Sequence, residues 1–417
     1  MKPPTSLDDL VIRVANTPIW PIPRVSGSAA WEKANLHKAL GIAAALRGTR
    51  ARVVYYGTAD SAIHAYAPDI PIEVAPLIES GIGEHAEWAG RGREDAFYGD
   101  FYAAVVREGA HAAIVGGDEQ SFRETPALAA VLPHTRFFCN NHGLGPHPDA
   151  PLAYERCNGI VGFVAISHAQ LREYPTILHA GVVYNALHPD EFRLQPEPAG
   201  CTLEIAGHAL TLAPGYALFV GRINREKGAD LAIDIARRAG MRLVLAGPLA
   251  PRPWDPDFYE REVRPRIDGD QMLYLGELGP ADLDRVYRGA SCMLFPIRWE
   301  EPFGFAAVEA QARGVPVVGM RHGALPELIE DGVTGYLVEG VEDGAERARD
   351  AARLIARRTC AARARARFSW EVTGRAYVDV IWQAFHGTPW FGATDYAGRP
   401  GHLPGGPGPA PERGRDA

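Results

Sequence analysis

The sequence has no long hydrophobic run and no leader-like segment. None of its 417 residues belongs to an uninterrupted apolar stretch of about 18 residues, the length that a membrane-spanning helix needs. No basic segment followed by an apolar one is found at its start, so we expect a cytoplasmic location. Both absences point away from an integral membrane protein.

Cysteine is scarce, and its spacing excludes the common metal and redox motifs. The five cysteines form no C-x-x-C pair and are expected to be free thiols: Cys139, Cys157, Cys201, Cys292 and Cys360. D-x-D triplets occur at Asp255–Asp257, Asp268–Asp270 and Asp282–Asp284. Because such triplets arise often in an acidic chain, and these lie in polar loop or helix contexts, we expect no metal site.

Positive charge is limited as well. The formal net charge of −8 argues against nucleic acid or another polyanion as a partner. Among the basic residues lysine is rare, since the only lysines are Lys2, Lys33, Lys38 and Lys227. A lysine in a glycine-flanked loop, as Lys227 is, is therefore a stronger functional signal than any single arginine.

The chain does contain a repeated alternation of short apolar runs and helical patterns. A length of 417 residues suggests two domains, and a hydrophobic fraction of 47% is enough for two cores. The alternation predicts an α/β fold of two doubly wound domains. We predict an N-terminal domain over residues 1–195, a C-terminal domain over 214–368, a last helix over 369–386 and a disordered tail over 387–417.

Two residues of the first half are notable for their positions relative to predicted strands and helices. Gly27 precedes a helical pattern, where a glycine lets the backbone approach a ligand, although an ordinary turn explains it equally well. His142 follows the predicted strand Thr135–Cys139, and ligands of open parallel sheets bind beyond the carboxyl ends of the strands. Residues 60–93 have no clear pattern, and long loops of this kind are often functional.

A basic loop follows the first predicted strand of the second half. It reads G-R-I-N-R-E-K-G from Gly221 to Gly228 and contains Arg222 and Lys227. Two cations and a glycine backbone can hold a diphosphate by charge and by close approach. Solvent-exposed charge is the alternative interpretation for either residue alone. The pair is favoured as functional because it shares a βαβαβ set with a second unusual stretch.

That stretch is E-P-F-G-F-A-A-V-E, from Glu301 to Glu309. It follows the apolar run Cys292–Ile297, which predicts a strand, and then turns helical. A helix N-terminus has unpaired N–H groups and a positive dipole end that suit an anion, and here it would be formed by Phe303, Gly304 and Phe305. With a carboxylate on either side, the arrangement suits a nucleotide sugar, which has hydroxyls on both sides of a diphosphate.

These motifs resemble those of the GT-B retaining glycosyltransferases of the family 4 type (glycosyltransferases group 1). The resemblance covers most of residues 10–385 and is densest over 216–340. Glu301 and Glu309 resemble the E-x7-E motif of that family, and Gly221-Arg222 with Lys227-Gly228 resembles its diphosphate-binding pair. Further residues that fit the family pattern are Gly27, His142, Tyr184, Asn185, Ala310, Gly314, Gly323 and Glu327.

The resemblance implies the GT-B fold, in which two Rossmann-like domains face a cleft and the last helix (369–386) crosses back onto the first domain. It implies a hexosyltransferase-like enzyme (EC 2.4) that moves a sugar from a nucleotide-diphosphate sugar to an acceptor hydroxyl with retention of configuration and without a metal or other cofactor. The donor would bind the second domain. The acceptor, a small molecule, a glycan or a lipid-linked compound, would bind the first domain near Gly27, His142 and residues 60–93.

The same resemblance implies a role for each candidate residue. Arg222 and Lys227 would stabilise the leaving diphosphate, and His142 would approach the donor sugar. Glu301 would hold hydroxyls of the transferred sugar, and Glu309 would bind the ribose. Two alternatives remain open, a GT-B sugar-nucleotide epimerase and a non-catalytic sugar-nucleotide-binding protein. A glycosyltransferase transfers the sugar to an acceptor, an epimerase isomerises the free donor, and a binding protein does neither.

Overall fold

The computed structural model consists of two parallel β-sheets with helices packed on their faces. It describes residues 2–15, 30–58, 63, 67–78, 91–116, 125–140, 154–205 and 207–387. Gly27, His142, most of residues 60–93 and the predicted tail beyond residue 387 lie outside these ranges.

The first sheet has seven parallel strands in the order β3-β2-β1-β4-β5-β6-β7. Its strands are β1 (Val11–Ala15), β2 (Arg52–Thr58), β3 (Glu73–Ile78), β4 (Ala112–Gly116), β5 (Arg136–Asn140), β6 (Val161–Ala165) and β7 (His179–Val182). The helices between them are α1 (Ala30–Ala45), α2 (Arg91–Glu108), α3 (Thr125–Val131) and α4 (His168–Glu173). Strands covered on both faces are continuous apolar runs, and every residue of β4 and β6 is buried.

The second sheet has six parallel strands in the order β12-β11-β10-β13-β14-β15. They are β10 (Tyr216–Val220), β11 (Leu243–Ala246), β12 (Met272–Tyr274), β13 (Ala290–Phe295), β14 (Val317–Met320) and β15 (Gly335–Val338). An antiparallel pair precedes this sheet and is formed by β8 (Cys201–Ile205) and β9 (His208–Leu212). The expectation of two doubly wound α/β units is therefore confirmed.

The helices of the second half cover both faces of its sheet. They are α5 (Ala229–Ala239), α6 (Pro280–Gly289), α7 (Phe305–Ala312), α8 (Leu325–Leu328), α9 (Val341–Leu354) and α10 (Arg357–Phe368). Alternate residues of β10 point to opposite sides, so that Leu218 joins the cluster with Phe303 and Phe368 while Phe219 joins the cluster with Ile233. Each face of the sheet thus has its own hydrophobic core.

The last described helix, α11 (Trp370–His386), packs on the first half of the chain. Its residues Trp370, Tyr377 and Ile381 are buried in the same cluster as Leu36 and Leu40 of α1. Thr373 also donates a hydrogen bond to the carbonyl oxygen of Tyr184, at 3.0 Å. The chain therefore returns to its first sheet after completing the second.

The Ala- and Arg-rich stretch Val341–Arg367 forms two helices where its composition predicts one long helical segment. These helices, α9 and α10, are separated at Ile355 and Ala356. At the start of α10 the buried Arg357 donates to the carbonyl oxygens of Gln195 and Ala290, both at 2.7 Å. The break places this guanidinium where it ties the segment before β8 to the second sheet.

We expect that Ser167→Ala destabilises the protein by about 1 kcal/mol, because Ser167 is the N-cap of α4. The Ser167 hydroxyl is fully buried and accepts a hydrogen bond from the Gln170 backbone N–H at 2.9 Å. Urea unfolding measures the loss. As a control, Thr211→Ala removes a hydroxyl from an exposed position on β9 and should change the free energy of unfolding by less than about 0.5 kcal/mol. Equal effects of the two substitutions would contradict the capping role.

Candidate functional site

The site lies where the strand order of the second sheet reverses. β10 is the third strand in the sheet's order and β13 follows it, although β11 and β12 intervene in the chain. The loops that leave β10 and β13 therefore diverge at the carboxyl edge of the sheet and open a crevice, which is where doubly wound sheets bind ligands. The first of these loops contains Arg222 and Lys227, and the second leads to Glu301.

The two loops are joined by backbone and side-chain contacts. The Arg298 backbone N–H donates to the carbonyl oxygen of Glu226 at 2.8 Å. The Arg298 guanidinium binds both carboxylate oxygens of Asp230, at 2.7 and 2.6 Å. Gly228 begins α5 with φ +74, and a Cβ there would lie 2.0 Å from the Pro296 carbonyl oxygen. Only glycine fits this crossing, so the basic loop is held directly against the loop that follows β13.

Lys227 and Glu301 form an ion pair across the crevice. The Lys227 Nζ contacts Glu301 Oε2, and the side chains are 12% and 10% exposed. Trp299 binds both partners: its Nε1–H donates to Glu301 Oε2 at 3.1 Å, and the Lys227 Nζ lies 4.8 Å from the centroid of its ring. Because the pair is largely shielded from water, its mutual attraction is screened less than that of a surface pair.

Arg222 is the second cation of the basic loop. Among the residues that the structure describes, no acceptor lies within hydrogen-bond distance of its guanidinium. Burial lowers the pKa of Arg222, and the neighbouring Arg252 lowers it further, although Glu226 and Glu301 oppose this effect. A half-buried guanidinium that makes no hydrogen bond or ion pair to the described residues can bind an anion.

The backbone of Glu301 is held from the opposite side by the turn before α8. The Ala324 N–H donates to the Glu301 carbonyl oxygen at 2.8 Å. Gly323 has φ +54, and a Cβ there would lie 2.2 Å from the Glu301 nitrogen. α7 then begins after Gly304, so the N–H groups of its first turn lie at the end of this same loop. The side chain of Phe303 is only 2% exposed and packs on the rings of Tyr184 and Phe368.

Glu309 lies one turn inside α7, in a separate cluster of polar groups. Its Oε2 accepts a hydrogen bond from the Tyr287 hydroxyl at 3.2 Å. Burial raises the pKa of Tyr287 well above its usual value, and Glu309 adds to the shift. Burial alone would lower the pKa of Arg313, but Glu309 and Asp284 raise it. The Glu309 carboxylate is thus fixed by a neutral hydroxyl and lies near a buried cation.

The sequence was then compared with known proteins. The family model described as glycosyl transferases group 1 matches residues 204–368, the part of the chain that contains the crevice. These residues form a group 1 glycosyltransferase domain. The D-inositol 3-phosphate glycosyltransferase of Streptomyces griseus is 31% identical to the chain over 225 residues, which are 49% of the chain and 48% of that protein. The chain therefore matches about half the length of this curated relative.

Solved glycosyltransferase structures resemble the fold of nearly the whole chain. Sucrose-phosphate synthase from Thermosynechococcus elongatus has a TM-score of 0.65 at 18% identity, and the match covers 90% of this chain and 99% of that one. Anabaena HepE in complex with UDP-glucose has a TM-score of 0.60 at 15% identity, with coverages of 89% and 99%. The predicted GT-B fold is confirmed by these similarities.

Of the candidate residues, the structure of this group 1 domain brings Arg222, Lys227 and Glu301 into one crevice, beside Gly304. Glu309 follows one turn along the helix. Gly27 and His142 lie outside the described residues. The nearest described neighbour of His142 in the sequence is Asn140, the last residue of β5, whose side chain donates to the Val164 carbonyl oxygen at 2.9 Å and accepts from Lys38 at 3.5 Å.

Lys38 is a residue to which the sequence assigned no role. It is buried beneath the carboxyl end of β5, and this burial lowers its pKa to about 7. The rarity of lysine in this chain was the only signal for Lys38 available from the sequence. Its contact with Asn140 depends on the position of α1 relative to β5, which the sequence does not show.

A second residue whose position the sequence did not reveal is Glu327, in α8 of the glycosyltransferase domain. Its carboxylate accepts hydrogen bonds from the backbone N–H groups of His168 and Ala169, at 2.8 and 2.6 Å, and from the Tyr184 hydroxyl at 3.2 Å. These three donors all belong to the first half of the chain. Glu327 therefore joins the two halves next to the crevice.

The described part of the chain contains neither a cluster of metal ligands nor a membrane-spanning helix. No group of three or more His, Cys, Asp or Glu residues within it is arranged to hold a metal ion. None of its helices has both the length and the hydropathy that crossing a bilayer requires.

Proposed function

We propose that this chain is a retaining glycosyltransferase that moves a sugar from a nucleotide-diphosphate sugar to an acceptor hydroxyl. The observation that carries the proposal is the crevice at the β10/β13 edge, where the loop with Arg222 and Lys227 meets Glu301 through the Lys227–Glu301 ion pair, and where α7 begins four residues after Glu301. A diphosphate needs charge from more than one direction, and this crevice provides two cations and free backbone N–H groups. The UDP-glucose bound by the similar Anabaena protein supports a donor of this class.

The donor would lie along α7, with its diphosphate at the helix start. Gly304 and Phe305 would offer backbone N–H groups to the phosphates, and Phe303 would contribute through its backbone because its ring is buried. Glu309, one turn further on, would accept hydrogen bonds from the ribose hydroxyls. Glu301 would bind hydroxyls of the transferred sugar, on the other side of the diphosphate. The order of these residues along the chain thus follows the order of groups along the ligand.

The proposed chemistry is a front-face displacement. The bond between the anomeric carbon and the diphosphate oxygen breaks while the acceptor oxygen attacks the same face of the sugar, so that configuration is retained. The acceptor proton passes to an oxygen of the departing diphosphate, and the products are the glycoside and the nucleoside diphosphate. Arg222 and Lys227 stabilise the charge that develops on the leaving group. We propose that these two cations supply that charge without a metal cofactor.

The acceptor would bind the first half, across the crevice from the donor. Gly27, His142 and residues 60–93 remain the proposed acceptor-side segments, with His142 approaching the donor sugar. An inositol phosphate is the first acceptor to test, because the matched Streptomyces protein is a D-inositol 3-phosphate glycosyltransferase. Other small molecules, glycans and lipid-linked compounds follow. Nucleic acid is not a proposed partner, given the net charge of −8.

A ligand screen tests the proposal directly. We expect that one of UDP, GDP, ADP and dTDP, or its sugar conjugate, raises the melting temperature. A ligand present at 100 times its dissociation constant adds about 2.7 kcal/mol to the free energy of unfolding. The selected sugar nucleotide is then incubated with candidate acceptors, and products are identified by mass spectrometry and anomeric NMR. Failure of all nucleotides to bind would overturn the proposal, and isomerisation of the donor without transfer would favour an epimerase.

A further inference from the structure

Trp299 contacts both members of the Lys227–Glu301 pair with different parts of one ring. The edge of the indole donates its Nε1–H to Glu301 Oε2 at 3.1 Å, and the face of the ring lies 4.8 Å from the Lys227 Nζ. The Lys227 ammonium contacts the same carboxylate oxygen. One oxygen of Glu301 is therefore shared between a mobile cation and a fixed neutral donor.

These two donors differ in what they do when a diphosphate arrives. An ammonium on a long flexible side chain moves readily toward a more highly charged partner. An indole that packs against the hydrophobic cluster beside β13 has a fixed orientation and no charge to neutralise. When Lys227 turns to the phosphates, Glu301 keeps the indole N–H as a hydrogen-bond donor. Its carboxylate is then not left without a partner in a site where only 10% of its side chain is exposed.

We propose that Trp299 is a positioning residue that holds Glu301 in its sugar-binding orientation after the diphosphate has drawn Lys227 away. This inference rests on the proposed donor site. The N–H at the indole edge donates a hydrogen bond to Glu301, whereas the indole face stabilises the Lys227 cation. Loss of the edge should therefore affect turnover, and loss of the face should affect the affinity for the diphosphate. A residue with a merely structural role would not separate these two quantities.

Two substitutions of Trp299 separate edge from face. Trp299→Phe keeps an aromatic face for Lys227 but removes the N–H. We expect it to lower kcat about tenfold or more, the effect of losing a hydrogen bond to a charged group. Its Kd for the nucleoside diphosphate selected by the ligand screen, measured by calorimetry with UDP as the first probe, should stay within about threefold of the parent value. Trp299→Leu removes both parts, so kcat should fall while the affinity rises, because the ligand-free Lys227 loses the ring that stabilises it before the diphosphate draws it away.

The matched control is Trp254→Phe, the same exchange at a tryptophan that is 70% exposed in the same half of the chain. It should leave kcat and Kd unchanged, and the melting temperature of each ligand-free variant verifies its fold. In a Glu301→Gln background, Trp299→Phe should add little further loss, because the indole acts through Glu301.

The outcomes are distinguishable from failure of the proposed function. If the parent protein binds no nucleoside diphosphate, the donor site itself is wrong. If the parent binds and transfers sugar but Trp299→Phe has the parent kcat, only the positioning role is overturned. An equal loss of kcat and affinity in Trp299→Phe, or a full additional loss in the Glu301→Gln background, also overturns it.

Discussion

Lys227→Ala is expected to reduce sugar transfer by about a hundred- to a thousand-fold, the range found when one preorganised donor to a developing oxyanion is removed. In the ligand-free crevice the Lys227 ammonium contacts Glu301, and it lies 4.8 Å from the ring centroid of Trp299 and 5.8 Å from that of Phe295. A diphosphate offers more negative charge than one carboxylate, so the ammonium exchanges partners when the donor binds. Without it, Arg222 alone stabilises the leaving group.

Initial rates at saturating sugar nucleotide measure this loss, and product release is followed as nucleoside diphosphate. Arg225→Ala is the matched control, since Arg225 lies two residues earlier in the loop but binds Asp255 at 2.7 Å, outside the Lys227–Glu301 pair. The control should retain turnover within about threefold, because an exposed ion pair contributes little. Parent-like rates in Lys227→Ala would remove Lys227 from the mechanism.

Glu301→Gln should also lower turnover by about two orders of magnitude, since it weakens the hydrogen bonds that the carboxylate would make to sugar hydroxyls.

The charges of the crevice are arranged for such an exchange. Lys227 is neutralised by Glu301 before a ligand binds, whereas burial and Arg252 make the charge of Arg222 unfavourable, as the lowered pKa of Arg222 indicates. An incoming diphosphate stabilises the charge of Arg222 and disrupts the ion pair between Lys227 and Glu301. Part of its binding energy is therefore used to separate Lys227 from Glu301, which releases the carboxylate for the sugar. Donor binding and preparation of Glu301 are one event in this scheme.

Much of this arrangement was predictable because it is local in the sequence. The run Cys292–Ile297 was predicted as a strand and its first four residues lie in β13, since a parallel strand covered on both faces is an uninterrupted apolar run. Gly304 was predicted at a helix N-terminus and is the N-cap of α7. The basic loop was predicted to follow β10 and does so. Motifs of this kind depend on neighbours within a few residues, which the sequence displays directly.

Other features depend on contacts between distant parts of the chain. Trp299 was overlooked because its neighbours in sequence are Arg298 and Glu300, and nothing local shows that Lys227, 72 positions away, would lie over its ring. The break between α9 and α10 was missed because Ile355 and Ala356 carry no proline or glycine signal. Tertiary contacts of Arg357 with Gln195 and Ala290 fix that break instead. No pattern within a single segment reports such partners.

A large effect far from the phosphate-binding cations is expected from Glu327→Ala, which should lower kcat/KM about 30-fold. The Glu327 carboxylate binds two backbone N–H groups at the start of α4 and the Tyr184 hydroxyl, all in the first half of the chain. Its own backbone is tied to the donor crevice, because Ala324, at the start of the same turn, donates to Glu301. Hydrogen bonds to a charged group contribute about 1.5–3 kcal/mol each, and a net loss of 2 kcal/mol corresponds to about a 30-fold change in a population.

The physical reason is that sugar transfer needs donor and acceptor in one closed cleft, and Glu327 stabilises the arrangement in which the halves touch. Without it the joined state becomes a minority, and the apparent affinity and rate fall by the fraction that remains. Steady-state kinetics measure the loss, and small-angle X-ray scattering should show a larger radius of gyration for the variant. Ser167→Ala is the control, because it weakens the same helix from within the first half and leaves Glu327 in place. The contrary outcome is that Glu327→Ala lowers only the stability, by as much as Ser167→Ala does, and leaves the radius of gyration and kcat/KM unchanged. The Glu327 carboxylate would then be a helix cap with no role in joining the halves.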